Sequence, residues 1–374
     1  MAKLGEICKI NMGQSPDSST YNNNKEGIPF FQGNADFGKI NPTIRLWCSN
    51  PVKIAKENDI LISVRAPIGA LNISDCECCI GRGLASLTIT TDKCIQKFLW
   101  YSLINRTHEL ISKGTGSTFK AINKQILFDL KIPLPPLEEQ EKIAMVLDKV
   151  SELIEKREQQ LAKLDELIKS RFVEMFGDPV TNEKKWDKVP LSELAEIRIG
   201  PFGSLLHKED YITDGYPLVN PSHIVNEKIV TDKKLTISKQ KYNEMKVYHL
   251  KINDVVLGRR GEMGRCAVVT QSGLICGTGS LLIRSYGKIT ANFIQKIISF
   301  PTFKKTIEDM AIGQTMPNLN VSIVANFQII IPPLEIQQRY FSFVEQTEKI
   351  KVAINSSLDK LRTLKKALMQ RFFG

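Results

Sequence analysis

Arginine set among glycines is the chemistry-bearing pattern that recurs in this chain. Residues 59–69, DILISVRAPIG, read as a strand running into a turn that presents Arg65. Residues 254–265, DVVLGRRGEMGR, read the same way and present Arg259, Arg260 and Arg265. A guanidinium pairs in two-point fashion with guanine or clamps a phosphate, and flanking glycines let backbone approach a partner closely. Two polar loops supply the complementary hydroxyls and amides: 113–120, KGTGSTFK, with Thr115, Ser117, Thr118 and Lys120, and 313–320, GQTMPNLN, with Gln314, Thr315 and Asn318. Such groups reach phosphates or base edges. Solvated hairpin arginines and capping turns are the plainer alternatives.

Catalytic patterns are incomplete. The 113–120 loop lacks the Gly-Lys-Ser/Thr ending that positions a lysine and a metal-binding hydroxyl on a nucleotide. Asp178, Glu183 and Lys184 lie too close together to be the strand-borne carboxylates of a metal-dependent nuclease, so a turn is expected there. Residues 220–223, Asn-Pro-Ser-His, begin like the Asn-Pro-Pro-aromatic motif of adenine methyltransferases but lack the second proline and the stacking ring. Asn220 and Ser222 are kept as candidate DNA contacts. His108, His207, His223 and His249 show no triad spacing. Cys76, Cys78 and Cys79 have no second ligand pair for zinc, so reduced, partly buried thiols are expected. The expectation is therefore a non-catalytic chain that holds no metal.

The charge balance fits a nucleic-acid partner. The net charge is +11 over 374 residues, with an excess of +5 in 1–134, −3 in 135–177, +5 in 178–331 and +4 in 332–374. A basic excess marks affinity for polyanions without specifying one. With 42% hydrophobic and 24% charged residues the composition is that of a soluble globular protein of more than one domain. There is no signal-peptide core and no uncharged apolar run long enough for a membrane span, so a cytoplasmic location with no membrane partner is expected.

The elements that must position these loops are repeated. Steps of four and three residues from Ile143 reach Leu147, Val150, Ile154, Arg157, Leu161, Leu164 and Ile168, the seam of a long helix packed on another helix. At about 1.5 Å per residue a helix from Leu137 to Phe176 extends roughly 60 Å. At an offset of 197 residues the segment beginning at Pro135 recurs from Pro332, with seam positions Tyr340, Val344, Thr347, Lys351, Ile354, Leu358, Leu361 and Lys365, and with Ile350, Leu364 and Leu368 widening the apolar face. The loops repeat too: Gly116, Thr118 and Asn123 fall on Gly313, Thr315 and Asn320. The expected architecture is α+β: a first recognition domain at 1–134, a central helix at 135–177, a second domain at 178–331 and a C-terminal helix at 332–374. Pairing the seams makes the two helices an antiparallel coiled coil, with the related domains at either end of a rod. Single helices are expected over 97–112 and Asn292–Met310, and a strand over Ile126–Ile132.

The whole chain resembles the specificity subunits of Type I restriction-modification systems. The resemblance rests on IPLPPLEEQ (132–140) and IIPPLEIQ (330–337), the long helices that follow, Phe-Gly-Asp-Pro at 176–179, and the Gly-x-Thr loops before each helix. It implies two target-recognition domains, each reading half of an interrupted double-stranded DNA target. It also implies a helical rod that spaces them and docks two modification subunits, joined by restriction subunits. S-adenosylmethionine, ATP and Mg are then expected on those partners, with no cofactor bound by this chain. A two-fold arrangement would place the half-sites about one helical turn, roughly 34 Å, apart. A matched heptad insertion in Glu152–Lys163 and the second helix should lengthen the unread spacer. Outer-face residues such as Glu155 and Glu158 are candidates for docking. A stand-alone DNA-binding module and a coiled-coil interaction protein remain as alternatives.

Overall fold

The computed structural model describes residues 1–116, 120–202, 205–311 and 318–374. The chain divides into two compact units, residues 1–160 with 354–374, and residues 161–353. The cut passes through both long helices, α1 (Leu137–Phe176) and α2 (Leu334–Phe373). It falls there because each helix end contributes to a domain core rather than standing as a separate segment.

In the first unit a four-stranded antiparallel sheet has the order Cys8–Met12, Leu84–Ile89, Ile60–Ser63, Leu71–Ile73. A five-stranded mixed sheet has the order Tyr21–Asn22, Leu46–Cys48, Ile28–Phe31, Cys78–Ile80, Ile54–Ala55, with Ile28–Phe31 and Cys78–Ile80 parallel. The second unit repeats both. Its sheets run Ala195–Ile199, Ser280–Ser285, Asp254–Gly258, Cys266–Val268, and Tyr211–Ile212, Thr236–Ile237, Tyr216–Val219, Leu274–Cys276, His249–Leu250. Here too the central pair, Tyr216–Val219 and Leu274–Cys276, is parallel. Local details recur with the topology. Asn58 and Asn253 turn the chain at φ 68° and 70° before equivalent strands, a conformation that asparagine tolerates better than most residues. Asp59 and Asp254 then accept the amides of Lys56 and Lys251 at 2.9 and 2.6 Å.

The seam reading holds within each unit. In the first, Ile143 and Leu147 share a core with Phe98, Met369 and Phe373, while farther along α1 Glu158 meets Arg362 at 2.7 Å. In the second, Asp165 meets Lys351 at 2.7 Å and Tyr340 donates to the Ile168 carbonyl at 3.3 Å. As α1 advances, its partners on α2 recede, so the helices pair antiparallel in both units. Val150 and Leu358 are buried; Ile154, Leu161, Leu164, Ile354 and Leu361 are half-buried. Ile350 and Leu364, expected to widen the apolar face, are 52% and 46% exposed. They lie off the seam, on turns where Lys351 and Lys365 instead face inward with their long aliphatic stems. Glu155 and Glu158 are not free outer-face carboxylates, since Lys39 pairs with the first and Arg362 with the second.

Three local expectations need correction. The segment 126–132 is a helical turn, Lys124–Phe128, followed by a two-residue strand, Lys131–Ile132. Asn123 caps the turn by accepting the Ile126 amide at 3.0 Å, and a local cap outweighs β-propensity in so short a run. The helix expected over 292–310 is two, Ala291–Ile298 and Pro301–Met310, because proline is suited to the first turn of a helix and not to its interior. Likewise 97–112 is divided into Gln96–Asn105 and Thr107–Lys113 at Arg106.

Candidate nucleic-acid interface

In both units the arginine turn and the polar loop are neighbours. Arg65 follows the strand Ile60–Ser63, where the Ser63 hydroxyl donates to its carbonyl at 2.9 Å. Its backbone bridges Ala121, and the Ile122 amide donates to the Val64 carbonyl at 2.9 Å. The loop closes on itself: Thr115 and Ala121 exchange backbone hydrogen bonds of 3.0 and 2.9 Å. Arg65, Thr115 and Lys120 are therefore presented together, all exposed, from a pinned base. Ser117 and Thr118 lie outside the described residues.

The second unit uses the same join. Arg260 bridges Asn318, and the Leu319 amide donates to the Arg259 carbonyl at 2.9 Å. Arg260 is exposed. Arg259 is held inward, its Nε donating to Asn318 Oδ1 at 3.0 Å. Burial, and then the adjacent Arg260 charge, hold its guanidinium below the ordinary arginine range. Arg265 is tied down as well: Nη2 and Nε donate to Glu262 at 2.7 and 3.2 Å and Nη1 to the Pro221 carbonyl at 3.3 Å. Its side chain braces the turn. Gln314 and Thr315 lie outside the described residues.

Residues 220–223 form a tight turn at the edge of this surface. His223 is buried and its Nδ1 accepts the Asn220 amide at 3.1 Å, while Asn220 Oδ1 accepts the Gly279 amide at 3.4 Å. Ser222 is exposed. Register places Phe31 beside Ile80 and Val219 beside Cys276, so Gln32, Arg82 and Gly83 of the first unit correspond to Asn220, Thr278 and Gly279 of the second. Gln32, Asn34 and Arg82 adjoin Arg65 on one cleft. The sequence reading did not single them out; the Gly-x-Gly frame around Arg82 and Thr278 was the signal available.

Among the described residues no group of three or more His, Cys, Asp or Glu is placed to hold a metal ion. Cys78 and Cys79 point into sheet cores, and burial raises their thiols to about 12 and about 11. Among the described residues no helix is long and apolar enough to cross a membrane.

Two copies of one α+β domain, each carrying an exposed basic turn braced by a polar loop, define a duplicated recognition protein. The family model for the Type I restriction modification DNA specificity domain matches residues 1–166 and again 183–362. The chain belongs to that family, the DNA specificity subunits of Type I restriction-modification systems, and carries two recognition domains. It is 48% identical over 158 residues to the MjaX specificity subunit of Methanocaldococcus jannaschii, a match covering 41% of this chain and 37% of that one. It is 25% identical over 367 residues to the MjaIX specificity subunit of the same organism, covering 90% and 82%. The crystal structure of the Type I restriction-modification S subunit from M. genitalium shares the fold at TM-score 0.59 and 14% identity, covering 100% of this chain and 95% of that one.

Proposed function

We propose that this chain reads double-stranded DNA for a Type I restriction-modification complex, each domain contacting one half of an interrupted target. The observation that carries the reading is the repeated join of arginine turn to polar loop, Arg65 with Ala121 and Arg260 with Asn318. Equivalent frames carry different side chains, Gln32 and Arg82 in one domain against Asn220 and Thr278 in the other. The target is accordingly asymmetric, with a spacer that neither domain reads. The chain itself is non-catalytic and binds no cofactor. Two modification subunits dock on it and restriction subunits join them, S-adenosylmethionine, ATP and Mg belong to those partners, and the complex works in the cytoplasm.

In this reading Arg65, Thr115, Lys120, Arg260 and Asn318 lie on the DNA-facing surface, Asn220 and Ser222 at its edge, and Arg259 and Arg265 act by holding the second turn in shape. Base-edge contacts specify sequence and phosphate contacts fix register. The test is genome-wide mapping of methylated bases with and without the gene, in cells that express the modification partners. Loss of methylation at one asymmetric interrupted motif is the expected result; an unchanged pattern would overturn the reading.

A further inference from the structure

A cleft of about 470 Å³ opens in the first domain between three loops, Gln32–Asp36, Ser63–Pro67 and Arg82–Gly83. Its floor is backbone. The Gly81 amide donates to the Phe31 carbonyl at 2.8 Å, the Gly83 amide to the Gln32 carbonyl at 3.2 Å, and the Val64 amide to the Gly83 carbonyl at 2.9 Å. A Cβ at Gly83 would stand 2.6 Å from the Gln32 carbonyl oxygen, so only glycine allows the loops this approach. Asp36 turns its carboxylate onto the Gln32 amide at 2.7 Å and the Gly33 amide at 3.4 Å. The acid thereby shapes the loop.

What remains to face a ligand is two guanidinium groups and two carboxamides. Arg65, Arg82 and Gln32 are exposed and Asn34 is half-buried. Among the described residues, none of these four side chains hydrogen-bonds or pairs with another group; the polar contacts of Gln32, Arg65 and Arg82 are made by their backbones. Arginine matches the O6 and N7 acceptors of guanine, and asparagine and glutamine match the N6 and N7 pair of adenine, both in the major groove. The corresponding place in the second domain is poorer in free donors. Beside Asn220, Ser222 and Thr278 it has one exposed guanidinium, Arg260, in place of two, since Thr278 stands where the first domain has Arg82 and the nearby Arg259 is committed to Asn318.

We propose that this cleft is the base-reading site of the first domain, that Arg82 and Arg65 each read a guanine of its half-site, and that Gln32 and Asn34 serve the adjoining base. This assignment rests on the reading of the chain as a DNA specificity subunit. It predicts a first half-site that requires two guanines, and a second half-site in which Arg260 reads at most one.

The experiment reconstitutes the chain with its modification subunits and measures binding and methylation on a library of targets varied base by base, at several salt concentrations. Arg82→Lys and Arg82→Ala are compared with wild type, and Arg65→Ala is run in parallel. Lysine keeps the charge but not the two-point contact. The expected result is a loss of about 5- to 150-fold in discrimination at one guanine of one half-site, with the other half-site unchanged and the salt slope retained by Arg82→Lys. A uniform loss on every target, with the salt slope of Arg82→Ala reduced by about one, would make Arg82 a phosphate contact and overturn the proposal. Unchanged discrimination in both Arg82 variants would place the cleft outside the interface and overturn it as well. A wild-type complex without sequence preference would instead remove the functional reading beneath it.

Discussion

Gln337 Oε1 accepts both the amide and the hydroxyl of Thr290, at 3.0 and 3.1 Å. Its Nε2 donates to the Pro332 carbonyl at 2.8 Å, so a fully buried carboxamide ties the first turn of α2 to the N-cap of the helix Ala291–Ile298. Gln140 repeats the arrangement in the first unit, accepting the Ile95 amide at 3.1 Å and donating to the Lys93 and Pro135 carbonyls at 2.7 and 2.8 Å. The duplicated Pro-Pro-Leu-Glu-x-Gln signature thus has a mechanical reason: proline starts the helix and glutamine fixes its exit angle from the domain. Gln337→Ala removes the partner of the buried Pro332 carbonyl and of the partly buried Thr290 amide and hydroxyl, at about 1–3 kcal/mol for each buried group left unpaired. Partial rescue by water brings the expected loss to about 2–4 kcal/mol, read as a lower unfolding midpoint in urea.

The two domains differ beneath their shared topology. Asp254 receives Arg284 Nε and Nη2 at 2.8 and 2.7 Å; hydrogen bonding to the carboxylate, against burial, raises the Arg284 guanidinium above its ordinary range. The first domain has Thr88 at the place of Arg284, and Asp59 accepts only the Lys56 amide among its described side-chain contacts. Asp254→Ala removes this two-point contact and leaves the partly buried guanidinium with only the His249 carbonyl at 3.2 Å and Glu196 at 3.8 Å, so it is expected to cost about 2 kcal/mol. Asp59→Ala is expected to cost about 1 kcal/mol, the value of a lost cap. Equal losses in chemical denaturation would refute this account.

Periodic features were legible in the sequence and long-range pairings were not. The buried members of the seam, from Ile143 to Leu358, follow a 3.5-residue pattern that any helix pair needs. Ile350 and Leu364 misled because hydrophobicity alone does not reveal which side of a helix meets its partner. Asn123 signalled a helix cap, yet the apolar residues after it also fit a strand. Arg82 was invisible as a site residue: its position beside Gln32 depends on the parallel pairing of Ile28–Phe31 with Cys78–Ile80, some fifty residues away in the chain. No local pattern encodes that. The arginine turns were legible, but only the structure shows that Arg65 and Arg260 face outward while Arg259 and Arg265 are held by Asn318 and Glu262.

The exposed and buried apolar positions of α2 give a direct test of the helix pairing. Leu358 is 4% exposed and Leu364 46%. Leu358→Ala removes packed methyl groups and is expected to cost about 2–4 kcal/mol. Leu364→Ala is expected to stay within about 0.5 kcal/mol of wild type. The unfolding midpoints of the two variants should differ accordingly; a reversed order would mean the helix presents the other face.

Thiol reactivity should single out one cysteine. Seven of the eight cysteines are buried and Cys76 is partly exposed. Burial raises the Cys8, Cys78 and Cys276 thiols to about 12 and those of Cys79 and Cys94 to about 11. Burial and then the Asp75 charge raise Cys76 as well, so even this thiol should react slowly at pH 8, and faster as pH rises toward its own thiol range. Mass spectrometry after brief labelling of the native chain should find Cys76 modified first, and the others only on unfolding. Early labelling of Cys78 or Cys79 would mean that the first domain opens locally.

Lys120 separates the electrostatic part of binding from the reading of bases. It is exposed at the end of the loop that Thr115 and Ala121 close, one residue from the Arg65 bridge. A lysine there offers a mobile point charge without the planar two-point geometry that distinguishes bases, so a phosphate is its fitting partner. Each phosphate contact contributes about 0.9 to the slope of log affinity against log salt. Lys120→Ala should therefore weaken binding on all target sequences by the same factor, roughly 3- to 10-fold at low salt. The slope should fall by about one and the ranking of targets should stay as it was. Measured across a salt series with specific and scrambled duplexes, a loss confined to the specific duplex would instead make Lys120 a base contact, and the loop a reader rather than a clamp.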